Sequence, residues 1–76
     1  MGKGVIIMMK NKDLVLAILD RYSCATARQI SVLANVRYNQ TISASQVSGV
    51  LRPMMDRGEI GSSKNAKNEN VYWVIE

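Results

Sequence analysis

The chain has 76 residues, which is enough for one small domain. Apolar residues make up 47% of it, so we expect a globular fold and not a disordered chain. The net charge of +4 and the pI near 9.6 fit an anionic partner. No acidic residue lies between Asp20 and Asp56. The same stretch holds Arg21, Arg28, Arg37 and Arg52, which predicts one positive face.

The residue types exclude most catalytic chemistry. The chain has no histidine, the commonest metal ligand and general base. Its single cysteine, Cys24, cannot form an intramolecular disulfide and fits the reducing cytoplasm; we expect it to be a small buried side chain. The six carboxylates are scattered, and no glycine-rich phosphate loop is present. We therefore expect neither an enzyme nor a cofactor.

Residues 1–10 (MGKGVIIMMK) precede the first predicted helix. Their apolar run, residues 5–9, is too short to span a membrane and does not resemble a signal peptide. Because Gly2 and Gly4 flank the run, we expect a flexible lead-in. A short added strand or a dimer contact are the alternatives. Residues 11–76 are then the folded domain.

Two helices are predicted in the first half of that domain. Residues 11–22 (NKDLVLAILDRY) begin with a capping Asn11, and their apolar stripe is broad enough to pack on two neighbours. The stripe consists of Leu14, Val15, Ala17, Ile18, Leu19 and Tyr22. After a short linker or single-bridge strand at 23–25, residues 26–35 (TARQISVLAN) form the second helix. Thr26 and Gln29 make a capping box, and Asn35 is the predicted C-terminal cap.

The second helix should turn its apolar side inward and its polar side outward. Ile30, Leu33 and Ala34 form the inner stripe, whereas Arg28 and Ser31 face out. Residues 36–42 (VRYNQTI) have turn character and connect to the third helix. Their two aliphatic side chains, Val36 and Ile42, are expected to point inward.

Residues 43–57 (SASQVSGVLRPMMDR) read as an amphipathic helix. Ser43 and Gln46 form a second capping box. The inner stripe is Val47, Val50, Leu51 and Met54, and the outer face is Ser45, Ser48, Gly49 and Arg52. Pro53 presses on the carbonyl of Gly49, which predicts a kink within one helix. Gly58 should end the helix in a left-handed conformation.

The last segments predict an antiparallel hairpin. Residues 59–63 and 71–75 have strand character, and the polar, asparagine-rich residues 64–70 between them suggest a flexible tip. By alternation, Trp73 and Ile75 share one face, which we expect to close the core. Tyr72 and Val74 share the other face.

In order, the elements are helix, short linker, helix, turn, helix and hairpin. The local motifs are TARQI, SxxQVxxxL, DRGEI and YWVI. From residue 11 to residue 76 this order resembles the winged helix-turn-helix superfamily, and it is most similar to small stand-alone regulators of bacterial fimbrial operons, phages and plasmids. The resemblance implies an α+β fold with a three-helix bundle and a C-terminal hairpin wing. The long 36–42 connection and Pro53 depart from the usual pattern.

The resemblance and the residues together predict sequence-selective binding of double-stranded DNA by a small transcription regulator. Helix 43–57 would enter the major groove and wing 64–70 would lie on the backbone or minor groove. The base-edge candidates are Ser45, Gln46, Ser48 and Arg52. The phosphate candidates are Thr26 and Ser43 at the helix starts, Arg28, Arg37, Tyr38 and Asn39, and Lys64 and Lys67 on the wing.

A domain this small covers a half-site, so we expect a homodimer or a partner protein and no membrane association. A different class of function fits the same fold. Winged helices also act as protein-interaction modules that modulate a partner regulator without touching DNA. Binding that weakens steeply with salt would separate the DNA-binding function from this alternative.

Overall fold

The computed structural model describes residues 10–75 and contains three helices and one small sheet. The elements are α1 (Asn11–Tyr22), β1 (Ala25–Thr26), α2 (Ala27–Tyr38), α3 (Ala44–Asp56), β2 (Ile60–Lys64) and β3 (Asn70–Val74). The strands form an antiparallel sheet in the order β1-β3-β2. The apolar run at residues 5–9 lies outside the described residues. No helix within residues 10–75 is long and apolar enough to cross a membrane.

The core draws on every element, as the predicted inner stripes require. The fully buried side chains are Leu14, Val15, Ile18, Leu19, Ile30, Val47, Leu51 and Met54. Ile60 and Tyr72 close this core from the sheet. The predicted apolar faces of α1 and α3 are therefore confirmed. The opposite side of α3 is exposed.

The predicted bounds of α1 are confirmed, but its predicted cap is wrong. The N-cap residue is Lys10, whose extended backbone (φ −65°, ψ 150°) leads into the helix without a side-chain capping bond. Asn11 already has helical geometry, so its side chain is not placed to cap.

Helix α2 is longer than its sequence signals suggested. Asn35 lies inside the helix, and the left-handed C-cap is Asn39 (φ 53°), whose N–H donates to the carbonyl of Ala34. The connection to α3 is shorter in consequence. The prediction that Val36 points inward is wrong, since Val36 is 71% exposed. Val36 lies inside the longer helix, where a turn of 100° per residue places it on a different face from the buried Ala34. Ile42 points inward as predicted.

Helix α3 continues past Pro53 as one helix, as predicted, and the kink near Pro53 stays a prediction. Ser43 is its N-cap, and the Ser43–Gln46 capping box is present. Gly58 follows the helix with φ +77°, the left-handed conformation expected there.

The facing of β3 and the burial of Cys24 differ from the predictions. Tyr72 is buried and Val74 packs against the core, whereas Trp73 is half-buried and Ile75 is 49% exposed. The cause is the register: Tyr72 pairs with Ala25 of β1, and both turn toward the helices. Cys24 precedes Ala25 on the opposite face and is exposed.

Candidate nucleic-acid interface

One cleft runs between the outer face of α3 and the base of the hairpin, which is the wing of this fold. From α3 it is lined by Ser45, Ser48, Gly49, Arg52 and Met55, and from β3 by Asn70 and Tyr72. The three polar α3 side chains are exposed and form no hydrogen bond within residues 10–75. Their hydroxyl and guanidinium groups are therefore free to donate to base edges or phosphates. We call this surface the recognition cleft.

The capping box at the start of α3 engages two further candidates. The Gln46 N–H donates to Ser43 Oγ at 3.1 Å, and the Ser43 N–H donates to Gln46 Oε1 at 2.9 Å. The Gln46 carboxamide is thereby turned back along the helix start. A bidentate contact with adenine would require Gln46 to leave the box, which would return one backbone donor to water.

The start of α2 is built in the same way but is more buried. The Gln29 N–H donates to Thr26 Oγ1 at 3.1 Å, and the Thr26 N–H donates to Gln29 Oε1 at 2.9 Å. Thr26 retains only 7% exposure. Its hydroxyl therefore has a structural role, and the first turn of α2 presents mainly backbone N–H groups to an anion.

The wing tip leans toward this start of α2. A second cleft is lined by Thr26 and Gln29 together with Asn65, Lys67 and Glu69. The predicted tip residue Lys67 thus lies beside the first turn of α2. The fold has brought together a side-chain cation and a helix N-terminus that are about forty residues apart in sequence.

The tip contains an organised turn, and its predicted flexibility stays a prediction. Asn65 Oδ1 accepts from the backbone N–H groups of Lys67 at 2.9 Å and Glu69 at 3.0 Å. The Asn65 N–H donates to the Glu69 carbonyl at 2.9 Å, and Asn68 adopts a left-handed conformation (φ 64°). Asn65 therefore fixes where the tip carries Lys67.

Other predicted contact residues lie outside these two clefts. Arg28 is exposed but lines a mainly apolar groove with Tyr22, Val32 and Leu33. Tyr38 is half-buried against the core, which is the packing role that competes with a DNA contact. Arg37 is exposed at the last turn of α2, and Asn39 is the cap of that helix. Lys64 ends β2 opposite Asn70.

The candidate cations on α3 and on the wing form no ion pair within residues 10–75. Within residues 10–75 the only ion pair is Arg57–Glu59, at 3.1 Å. The hydrogen bond from Arg57, more than any other effect, lowers the pKa of the Glu59 carboxyl. The candidate cations Arg52, Lys64 and Lys67 therefore have no carboxylate partner in that range. No cluster of three metal-ligating side chains occurs there either.

Sequence reasoning missed three residues that shape the site. Asn65 and Asn70 were read as part of one polar loop, although an asparagine that starts such a loop is a known turn-forming signal. Ser31 was predicted to face outward, but it is half-buried and its hydroxyl donates to the Ile42 carbonyl at 2.6 Å. No local pattern predicts that bond, since its partner is eleven residues away.

Sequence comparison gives no match, because no family model and no curated protein matches the chain. Structural comparison does. Two structures of RosR from H. salinarum, one of them the hsRosR-S4 complex, align with TM-scores of 0.75 and 0.73 at 14% and 15% identity. They cover 91% and 90% of this chain but only 59% and 61% of the RosR chains.

A structure of HOP2, reported in work on its DNA recognition and protein interaction domains, aligns with a TM-score of 0.65 at 15% identity. The alignment covers 87% of this chain and all of that chain. At these identities the likeness concerns the fold. The three helices, the small antiparallel sheet and the wing give this chain the α+β winged-helix fold.

Proposed function

We propose that this protein binds double-stranded DNA in a sequence-selective way and acts as a small transcription regulator. The observation that carries the proposal is the recognition cleft, where Ser45, Ser48 and Arg52 of α3 face Asn70 of the wing. These are small or flexible donors, and no acidic side chain lines the cleft. Such a surface suits the edges of bases and the phosphates on either side.

In this proposal the N-terminal half of α3 lies in the major groove. Arg52 contacts guanine or a phosphate, and the two serines contact base edges. Gln46 and Ser43 use their own backbone N–H groups to keep the helix start intact, and the other N–H groups of the first turn of α3 contact a phosphate. This assigns selectivity to fewer side chains than the sequence alone suggested.

The second cleft supplies the sequence-independent part of binding. In this cleft, which Glu69 also lines, Lys67 and the first turn of α2 contact one phosphate, with Thr26 holding the helix start in place. Lys64 and the exposed Arg28 and Arg37 add contacts to the backbone on either side. Each phosphate that is neutralised steepens the loss of affinity with salt.

The fold supports the proposal at a general level. HOP2, which shares it, was studied for DNA recognition, and RosR is similar over most of this chain. The chain spans about 60% of the RosR chains, so the part that matches is only a portion of those proteins. A single domain reads a half-site, and we therefore propose a homodimer or a partner protein on the full site.

The test is an amide NMR titration of the full chain with mixed-sequence duplex DNA at two salt concentrations. We expect shifts at residues 43–52, at the first turn of α2 and at residues 64–70, all weakening with salt. Arg52→Ala should weaken binding by about 1–3 kcal/mol, whereas Arg21→Ala on α1 is the matched control and should not. Absence of shifts at low salt would contradict the proposal.

One observation favours the alternative of a protein-interaction module. Val32 and Val36, one turn apart on α2, are 54% and 71% exposed, and Val32 borders the apolar groove. Exposed apolar side chains in one row are typical of protein contacts. In that case the titration with DNA moves no amide, and Val32→Ser abolishes capture of the partner.

A further inference from the structure

A mainly apolar groove lies where α1, β1 and α2 meet, and it shares no lining residue with the recognition cleft. Its volume is about 420 Å³, which falls in the range of about 300–1,000 Å³ that is typical of small-molecule sites. Tyr22 of α1, Cys24 and Ala25 at β1, and Arg28, Val32 and Leu33 of α2 line it. We call this surface the α1–α2 groove.

The core holds most of the groove in place. Tyr22 and Leu33 are half-buried and pack against the core, and Ala25 is 3% exposed. Val32 is 54% exposed and lies one turn after Arg28 on the same side of α2. The groove therefore combines fixed inner walls with one open apolar side chain. A ligand that enters it has little protein structure to order, and this lowers the cost of binding.

Arg28 gives the groove its charge. It is exposed and forms neither an ion pair nor a hydrogen bond within residues 10–75. No described residue that lines the groove is acidic, and α2 contains no carboxylate. An inorganic anion would leave the apolar walls uncovered, and a neutral apolar molecule would leave the cation without a partner. The complementary ligand therefore has an apolar body and one negative group.

We propose that the α1–α2 groove binds a small aromatic carboxylate. The carboxylate pairs with Arg28, and the ring lies against Tyr22, Val32 and Leu33, where the phenol ring of Tyr22 offers a stacking partner. The proposal is independent of DNA binding. Arg28 is also proposed above to contact the DNA backbone, so the ligand and a DNA phosphate compete for its guanidinium.

The test is an NMR titration of the full chain, without DNA, with 4-phenylbutyrate, followed by amide and methyl signals. The control ligand is 4-phenylbutyramide, which has the same body and no charge. We expect saturable shifts at Ala25, Val32 and Leu33 and a Kd on the order of 1 mM for a ligand of about twelve non-hydrogen atoms. The amide should bind about two- to fivefold more weakly. Equal affinity for the two ligands, or no saturable shift at the groove, overturns the proposal.

Two pairs of variants at exposed positions separate the charge from the apolar wall. Arg28→Gln should weaken binding of 4-phenylbutyrate about two- to fivefold and leave the amide unaffected. Lys12→Gln removes the same charge at the far end of α1 and should change neither. Val32→Thr keeps the shape of the side chain and should weaken both ligands about two- to fourfold. Val36→Thr, one turn beyond the groove, should weaken neither. Equal effects of Arg28→Gln and Lys12→Gln would show unspecific attraction and overturn the proposal.

The same spectra distinguish a small ligand from a second copy of the chain. If the groove signals shift when the protein is diluted without ligand, a second copy covers the groove and the proposal is wrong. Signals that do not depend on protein concentration support it. Because no sample contains DNA, failure of the proposed DNA binding would leave these results unchanged.

Discussion

The Ser31 hydroxyl donates to the Ile42 carbonyl at 2.6 Å, and this bond joins the middle of α2 to the residue that precedes the cap of α3. Ile42 is 3% exposed, so its carbonyl has little access to water. The bond therefore helps to fix how α3 is held against α2, and with it the direction of the recognition cleft.

Removing this bond should destabilise the fold. Ser31→Ala leaves the Ile42 carbonyl without its partner, and we expect the free energy of unfolding to fall by about 1 kcal/mol. Urea denaturation followed by circular dichroism measures the change. Ser63→Ala is the matched control, because Ser63 is exposed on β2 and its hydroxyl forms no hydrogen bond within residues 10–75. Equal stability of the two variants would show that the bond contributes nothing.

Asn65→Ala should weaken DNA binding, although Asn65 itself is not proposed to contact DNA. Loss of its side-chain bonds frees the Lys67 and Glu69 amides, so hydrogen exchange at those two positions should accelerate. We expect a loss of roughly 0.5–1.5 kcal/mol in binding, because the Lys67 cation is no longer held in place. Fluorescence anisotropy with a labelled duplex measures it. Asn11→Ala at the far start of α1 should behave as wild type in both experiments.

Gly49→Ala separates stability from binding. A Cβ at Gly49 meets no atom within 4 Å, so alanine fits and should raise the free energy of unfolding by about 0.5–1 kcal/mol. The same methyl group projects into the recognition cleft, and affinity for DNA should fall if α3 lies in the groove. A variant that is both more stable and unchanged in affinity would place the DNA elsewhere on the surface.

Gly61→Ala should have the opposite effect on stability. Its Cβ would lie 2.5 Å from the Trp73 ring, so the indole must move. We expect a loss of about 1–3 kcal/mol, together with a change in Trp73 emission. Comparison with Gly49→Ala in the same denaturation series provides the control for the intrinsic effect of glycine replacement. Wild-type stability in Gly61→Ala would mean that the ring does not lie over β2.

The Arg57–Glu59 pair gives a pH dependence with a definite sign. Because the pKa of Glu59 is lower in the folded chain than its usual 4.5, the folded state favours the ionised carboxylate. The stabilisation is therefore present at neutral pH and is lost as the pH falls below 4.5 through the lowered pKa. Glu59→Gln should reduce stability at pH 7 relative to wild type, and the difference should shrink in acid. A difference that grows in acid would contradict this assignment.

Local chemistry determined much of what could be predicted. Both capping boxes form because Thr26 with Gln29 and Ser43 with Gln46 are three residues apart and need no other part of the chain. The same applies to the left-handed Gly58, whose conformation depends on its missing side chain. These three features depend only on residues next to each other in the chain, and their predictions are confirmed.

The tertiary structure decided the rest. Two asparagines could end α2, and the helix ends at Asn39 in a fold where Ser31 and the buried Ile42 join it to the start of α3. Strand alternation correctly placed Trp73 and Tyr72 on opposite faces of β3. It did not determine which of the two faces the helices. That choice depends on pairing with Ala25, nearly fifty residues earlier, because a shift of one residue in register exchanges the two faces of a strand.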